Sequence, residues 1–473
     1  MTLNAIGGRR YPDGPKINLL LAVVGQLLPR IFPFDPLAFG LSIARQFGDV
    51  AYYHVGPIHV YQLNHPDLAR QILVEEPEKF QKARFIKRAF RPFAGNGLLT
   101  SDGMLWKQQR RLIQPAFHHG HVAAYGDVMV AHTRRLIDVV QDGQVREIGA
   151  DMMKLTLGIV VKALFGADFA READEVGDLM MAVLDAANQR INSAVQIPAW
   201  VPTRRHIRER RALGRLDAML QDLIRTRRAS GEHTGDLLSM LLMAVDEDSG
   251  ARMSDRQLRD EMMTLFLAGH ETTANALTWT LYLVSQHPAV EARLLDELQR
   301  VLAGRDPTAG DLPNLPYSEM VVREAIRLYP PAPGFAREPI EDTHIGGYHV
   351  PKGSLVTVIT YALHRDPRFF DDPDTFNPDR FAPGWEERIR RYAYLPFGGG
   401  PRVCIGNGFA MMEARLILAT LLQRCQLLLE PEQEIVPVQL VTVRPKNGIR
   451  MRMERRQPML MSPMRIPEPK KNL

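Results

Sequence analysis

The run Phe397-Gly398-Gly399-Gly400-Pro401-Arg402-Val403-Cys404-Ile405-Gly406 places one cysteine in a glycine-rich loop, with an arginine two residues before it. An apolar, helix-like segment from Phe409 to Leu422 follows. A thiolate is stabilised by positive potential and by backbone N–H donors, and a loop feeding a helix N-terminus supplies both. Glycines let the backbone pass close to a flat cofactor and aim N–H groups at the sulfur. The stretch therefore reads as a haem-binding loop, with Cys404 as the thiolate under the iron.

Upstream, Ser254-Asp255-Arg256-Gln257 has the form of a capping box, and helical character runs on to about Gln286, before Pro288. Such a helix is about 45 Å long, enough to cross a whole domain, so it should be central and buried. Inside it lies Ala268-Gly269-His270-Glu271-Thr272-Thr273. A mid-helix glycine costs about 1 kcal/mol against alanine, which points to a local reason for Gly269. Paired threonines can bond back to carbonyls and bend the helix. Small residues beside an acid and an alcohol open a notch for a small ligand. A zinc reading of His270-Glu271 is rejected, because no histidine stands four residues after His270.

Two more constellations carry chemistry. Glu324 and Arg327 share a helix face, and Arg380, in Phe376-Asn377-Pro378-Asp379-Arg380-Phe381, could close a Glu-Arg-Arg cluster that holds the haem loop. Trp106 and Arg110 share another face, and with Arg337 and Arg402 they are candidates to meet the two haem propionates.

Composition sets the frame. The chain has 473 residues, 45% hydrophobic and 24% charged, with a net charge of +5. That charge is too mild to argue for nucleic acid. Two cysteines, Cys404 and Cys425, give no disulfide framework and suit a reducing compartment; Cys425 reads as a buried structural thiol. The apolar segment Ile17–Leu28 falls short of the roughly 20 residues a spanning helix needs, so it reads as a first helix packed on the body or resting on a membrane surface. Val50–His54 and Ile58–Leu63 read as a hairpin, Ser354–Thr360 as a strand, and Gln426–Met453 as broken β-type runs. The segment from Pro367 to Pro383 reads as an ordered meander and the last dozen residues as a loose tail.

Together, in this order and spacing, these elements resemble the cytochrome P-450 superfamily of haem-thiolate monooxygenases. The haem-loop pattern F-x-x-G-x-R-x-C-x-G is matched by Phe397, Gly400, Arg402, Cys404 and Gly406. The oxygen-activation pattern is matched by Ala268 to Thr273, E-x-x-R by Glu324 and Arg327, and W-x-x-x-R by Trp106 and Arg110. The resemblance spans about Pro15 to Arg455 and implies one domain over residues 1–473: a mainly α (α+β) fold with a helical body and a small β-rich lobe. It implies haem b under Cys404, with Glu271 and Thr272 managing proton delivery to bound dioxygen. Cofactor contacts would come from Ala268, Gly269 and Thr272, from Trp106, Arg110 and Arg337, and from Pro396, Phe397, Gly398, Arg402, Ile405 and Gly406. The short apolar segment makes the chain look like the soluble, cytoplasmic bacterial members.

The resemblance also implies a pocket drawn from Phe90, Phe93, Leu98 and Leu99, from Phe266 and Ala268, from Gly334 and Phe335, and from Leu440 and Val441. That lining is almost wholly apolar and suits a fatty acid, terpenoid or steroid-like substrate. Arg91 is a weak candidate for a carboxylate anchor at the entrance. The reaction expected is hydroxylation or epoxidation with dioxygen and two electrons. No G-x-G-x-x-G fingerprint is present, so the electrons should come from an external ferredoxin or flavodoxin, docked by Lys107, Arg111, Arg388, Arg390 and Arg391. The run Arg204–Arg211 after Ile197–Pro202 would lie in the lid over the entrance and, at most, touch a membrane surface. Two rival readings are a peroxide-driven peroxygenase or isomerase and a non-catalytic haem sensor. The Glu271-Thr272 pair disfavours both.

Overall fold

A computed structural model describes residues 5–6, 9–16, 34–166, 173–192, 197–198, 200–231, 234–246 and 250–456. The apolar segment 17–28, the tail beyond residue 456 and Ala199 of the lid segment lie outside them.

Helices of ten or more residues are α1 (Pro36–Gln46), α2 (Arg84–Ala94), α3 (Gly103–Ile113), α4 (Gly126–Val139), α5 (Ile148–Phe165), α6 (Ala173–Asn192), α7 (Arg204–Ser230), α8 (Asp255–Gln286), α9 (Pro288–Leu302), α10 (Pro316–Leu328) and α11 (Asn407–Leu422). The predicted long helix is α8. It starts where expected: the Ser254 hydroxyl accepts the Gln257 N–H at 3.2 Å, satisfying one of the four orphan donors of the first turn. It is buried along most of its length. Helix α5 lies along it so closely that a Cβ on Gly269 would sit 3.2 Å from Val160 Cγ2, and Thr156 Oγ1 donates to the His270 carbonyl at 3.0 Å. Close backbone approach is thus the local reason for the costly mid-helix glycine. Helices α10 and α11 pack on other sides of α8, sharing one apolar core that contains Trp279, Ile326's neighbour Ala325, and Leu416.

The β-rich part holds the strands that frame the site: β1 (Val50–Val55), β2 (Ile58–Leu63), β3 (Phe80–Lys82), β4 (Gln144–Glu147), β5 (Phe335–Pro339), β6 (Leu355–Val358), β7 (Cys425–Leu429), β8 (Pro437–Gln439), β9 (Val443–Pro445) and β10 (Arg450–Arg455). One sheet runs β1-β2-β6-β5-β3, another β7-β10-β4, and β8 pairs with β9. The predicted hairpin is β1–β2, in register Val50↔Leu63. The predicted strand from Ser354 is β6, shortened because Thr360 already begins a helical turn. Strands β3 and β5 pair Lys82 with Arg337. Like charges opposite each other across a strand pair are destabilising, so that register needs a compensating anion nearby.

Candidate active site

Gly398 and Gly400 both have positive φ, +70° and +66°. A Cβ at Gly400 would collide with the Leu73 carbonyl, whereas Gly398 faces open space. The Cys404 N–H donates to the Phe397 carbonyl at 2.9 Å and closes the loop just before α11 begins. The Cys404 side chain is exposed on one side and enclosed by protein on the others. Burial pushes its thiol up, while the Gly406 N–H and the Arg110 charge pull it down. Ile405 packs into the same apolar cluster as Leu265 and Phe266, which brings the loop to α8.

On α8, Ala268 is exposed and Gly269 and Thr272 are half-buried, while Phe266, Leu267, His270, Glu271 and Thr273 are buried. Ala268 and Thr272, one turn apart, form an open strip on an otherwise packed helix. Thr272 Oγ1 donates to the Ala268 carbonyl at 2.7 Å. Glu271 bonds elsewhere: its Oε1 accepts from Thr442 Oγ1 at 2.7 Å. Burial raises the Glu271 carboxyl above its ordinary range, against the lowering pull of the Thr442 bond and the Arg444 charge. His270 is a core histidine. Its Nδ1 lies 2.8 Å from the Phe266 carbonyl, and burial holds its pKa down to about 4. Among the described residues no group of three His, Cys, Asp or Glu could hold a metal ion.

A cationic cluster adjoins the cysteine loop. Arg110 donates to the Val403 carbonyl at 2.8 Å. Arg402 donates to Asp102 Oδ1 at 2.6 Å, with its guanidinium 4.6 Å from the Trp106 ring centre. Lys82 Nζ donates to the Leu98 and Ser101 carbonyls at 2.7 and 2.6 Å. Burial, with the Arg402 charge second, pushes Lys82 down to about 7, and the same two causes push Arg337 down to about 10. Lys87 also meets Asp102, at 3.1 Å. Lys82, Lys87, Arg337 and Arg402 thus crowd around Asp102, whose carboxylate accepts from the Lys87 and Arg402 side chains and from the Lys82 backbone N–H. A buried excess of positive charge calls for anions. Two propionates supply them, so the residues present fit a haem: a thiol open on one side, a small-residue strip on α8, and a cationic cluster.

Lys82, Lys87 and Asp102 are not readable as site residues from their own surroundings. Asp102 stands at the N-cap of α3 but makes no side-chain cap bond. A preferred cap residue that does not cap is the trace it leaves, and only the fold reveals it.

The Glu-Arg-Arg cluster forms. Arg327 Nε and Nη2 reach the two Glu324 oxygens at 2.7 and 2.9 Å, and Arg380 Nε reaches Glu324 at 3.2 Å. Arg327 also donates to the carbonyls of His364, Pro373 and Thr375, which pins the meander.

Of the expected pocket residues, Phe90, Phe93, Leu98, Leu99, Phe266 and Val441 meet in one apolar cluster. Leu440 is half-buried beside Val441. Gly334 lies where a Cβ would come 2.6 Å from the Val358 carbonyl, and Phe335 packs on the sheet core instead. Arg91 donates to Asn96 Oδ1 at 2.8 Å and lines an open cavity with Asn96, Arg225 and Arg259. Of the expected docking cations, Arg111 pairs with Asp246 and Arg390 with Asp67. Arg388 donates to two carbonyls and Arg391 lies over Tyr392. Trp200 and Ile197 of the expected lid segment are exposed, and Arg205 is tied to the Ala186 carbonyl at 2.8 Å. Cys425 is buried, as the first residue of β7. Among the described residues no helix is long and apolar enough to cross a membrane.

Comparison with known proteins agrees with this geometry. The family model "Cytochrome P450" matches residues 20–452. Cyclooctatin synthase of Streptomyces melanosporofaciens is 37% identical, covering 92% of each chain. Cyclooctat-9-en-7-ol 5-monooxygenase of the same organism is 37% identical over 83% of this chain and 85% of its own. Pentalenene oxygenase of Streptomyces avermitilis is 34% identical over 89% and 94%. The crystal structure of the cytochrome P450DA heme domain superposes with a TM-score of 0.85 at 29% identity, covering 94% of this chain and 98% of that one. The cysteine loop, the small-residue strip, the cationic cluster and this breadth of similarity have one meaning: the chain belongs to the cytochrome P450 family and is a monooxygenase of it.

Proposed function

We propose that this enzyme hydroxylates or epoxidises a terpenoid, as a single domain that binds haem b through Cys404 and draws electrons from a ferredoxin- or flavodoxin-type partner. The observation that carries the substrate class is the apolar cluster of Phe90, Phe93, Leu98, Leu99, Phe266 and Val441 next to the Ala268–Thr272 strip. Its apolar side chains suit a hydrocarbon skeleton. Relatives named for cyclooctat-9-en-7-ol and for pentalenene support the same class. Two free cysteines accord with a cytoplasmic setting.

Haem, when bound, supplies the activation of dioxygen. The chain's own residues do the rest. Cys404 would hold the haem through its thiolate, whose charge the Gly406 N–H and Arg110 would stabilise. Arg110, Arg337, Arg402 and Trp106 would hold the propionates. The Thr272 hydroxyl stands on the open strip, able to present a proton there, and Glu271 holds a proton behind it. The apolar cluster excludes water and seats the substrate.

The test is a spin-state titration of the holoenzyme with pentalenene, farnesol and lauric acid, joined to a Thr272→Ala variant. Terpenes should shift the spin state and lauric acid should not; a shift by lauric acid alone contradicts the substrate class. Thr272→Ala should retain haem yet divert reducing equivalents into peroxide, and full coupling in that variant would sink the role of Thr272.

A further inference from the structure

Thr442 stands at the tip of the β8–β9 hairpin and is buried. It touches two residues of α8. Its Oγ1 donates to Glu271 Oε1 at 2.7 Å, and Asn275 Nδ2 donates to the same Oγ1 at 2.9 Å. An amide nitrogen only donates, so Asn275 uses the hydroxyl oxygen as an acceptor and leaves its proton for Glu271. The chain of bonds therefore has one polarity, from Asn275 through Thr442 to the carboxyl. Behind Thr442 the hairpin is anchored: the Trp279 indole donates to the Val443 carbonyl at 3.1 Å, and the Val443 N–H donates to the Pro331 carbonyl at 3.0 Å. Ahead of it, Leu440 and Val441 are half-buried, and Val441 belongs to the apolar cluster of Leu98, Leu99 and Phe266. Thr442 is thus the joint between a fixed residue and a pocket-facing one.

We propose that Thr442, oriented by Asn275, is a positioning residue that sets where the Glu271 carboxyl points, and that whatever presses on Val441 acts on the acid through this hydroxyl. The inference rests on the reading of Glu271 as the proton-holding acid. It gives the terpenoid pocket a direct mechanical link to proton delivery: the bond to Thr442 holds Glu271 away from Thr272, and displacement of the turn frees it. The charged groups that act on Glu271 are Arg444 on β9, which favours the carboxylate, and Asp185 on α6, which opposes it. Losing the Thr442 bond removes one of the two stabilising influences on the carboxylate, so the acid should titrate at higher pH.

Infrared pH-difference spectra of the holoenzyme test this without turnover. The Glu271 carboxyl band is identified by its loss in Glu271→Gln. Thr442→Val, which keeps shape and removes the hydroxyl, should shift the band to higher frequency and its midpoint to higher pH. Thr442→Ser should restore both. Val441→Phe should move the band when Thr442 is present and leave it in place in the Thr442→Val background, a coupling that a merely structural role does not produce. An unmoved band in Thr442→Val, or a Val441→Phe shift that persists without the hydroxyl, overturns the inference. A separate measurement keeps the two readings apart: if Glu271→Gln fully preserves coupling of electrons to product, the acid role itself fails. If that variant uncouples while Thr442→Val leaves the band unmoved, only the link through Thr442 fails.

Discussion

The Glu324–Arg327–Arg380 cluster and the Lys82–Arg337–Arg402 cluster are made of the same kinds of side chain, yet one is closed and the other is open. Arg327 is fully buried, and its donors are met by both Glu324 oxygens and by three carbonyls. Nothing is left over for a ligand. In the second cluster, Lys82 and Arg337 are paired across neighbouring strands, burial and then the Arg402 charge lower the pKa of both, and Asp102 accepts from Arg402. Burial alone does not tell a scaffold from a site. The size of the cation excess does: two guanidiniums on one carboxylate, closed by backbone carbonyls, hold the fold, whereas four cations around one carboxylate await partners of opposite sign.

The sharpest way to break this contrast is Arg327→Ala. It removes the bidentate partner of a buried carboxylate, leaving only Arg380 and the Asn377 N–H on it, unpairs three carbonyls, and should cost about 3–5 kcal/mol of stability. Thermal unfolding, with the yield of folded holoprotein, checks it. A variant of wild-type stability would show that the closed cluster is not structural. Arg337→Ala should behave in the opposite way. The protein without haem should keep or gain stability, since like-charge repulsion is relieved. Haem retention should weaken by about 1–3 kcal/mol, as expected when a charged partner is lost. Haem-transfer kinetics to an apoprotein acceptor measure that loss, and equal destabilisation with and without haem would erase the distinction between the clusters.

The smallest effect concerns the seam between the open cluster and the pocket. Glu261 Oε2 accepts the Leu98 N–H at 2.8 Å, and burial pushes its pKa up to about 8. A carboxyl with a raised folded pKa contributes stability that is full below its unfolded value, near 4.5, and is lost as pH rises through about 8. Glu261→Gln keeps an acceptor for Leu98 and cannot ionise. Unfolding temperature against pH should therefore fall less steeply over that window in the variant than in the parent. Parallel curves would mean that Glu261 does not titrate there.

What the sequence made legible follows the range of the interactions. The Cys404 loop, the long helix with its Ser254 cap, and the Glu324–Arg327 pair are each written within a few residues, so local pattern suffices. The β1–β2 hairpin is similarly local. Strands β3 and β5 were not legible, because Phe80–Lys82 is short and finds its partner more than two hundred residues away. For the same reason Lys82 and Asp102 looked like ordinary charged residues. Glu271 and Thr272 were legible as a pair, but adjacency in sequence did not make them partners in space. Neighbours on a helix point in different directions, so Thr272 turns to the Ala268 carbonyl and Glu271 to Thr442, 171 residues away. Conversely, several docking cations that looked free in the sequence are already paired within the chain.

The reading of this site depends on Cys404, which would hold the haem through its thiolate. The reduced protein's absorption spectrum with carbon monoxide, taken beside Cys404→Ser, tests that directly. A strongly red-shifted Soret band in the parent, lost in the variant, is the result predicted here. A band typical of a histidine or neutral-thiol ligand in the parent, or one that survives in Cys404→Ser, would contradict it.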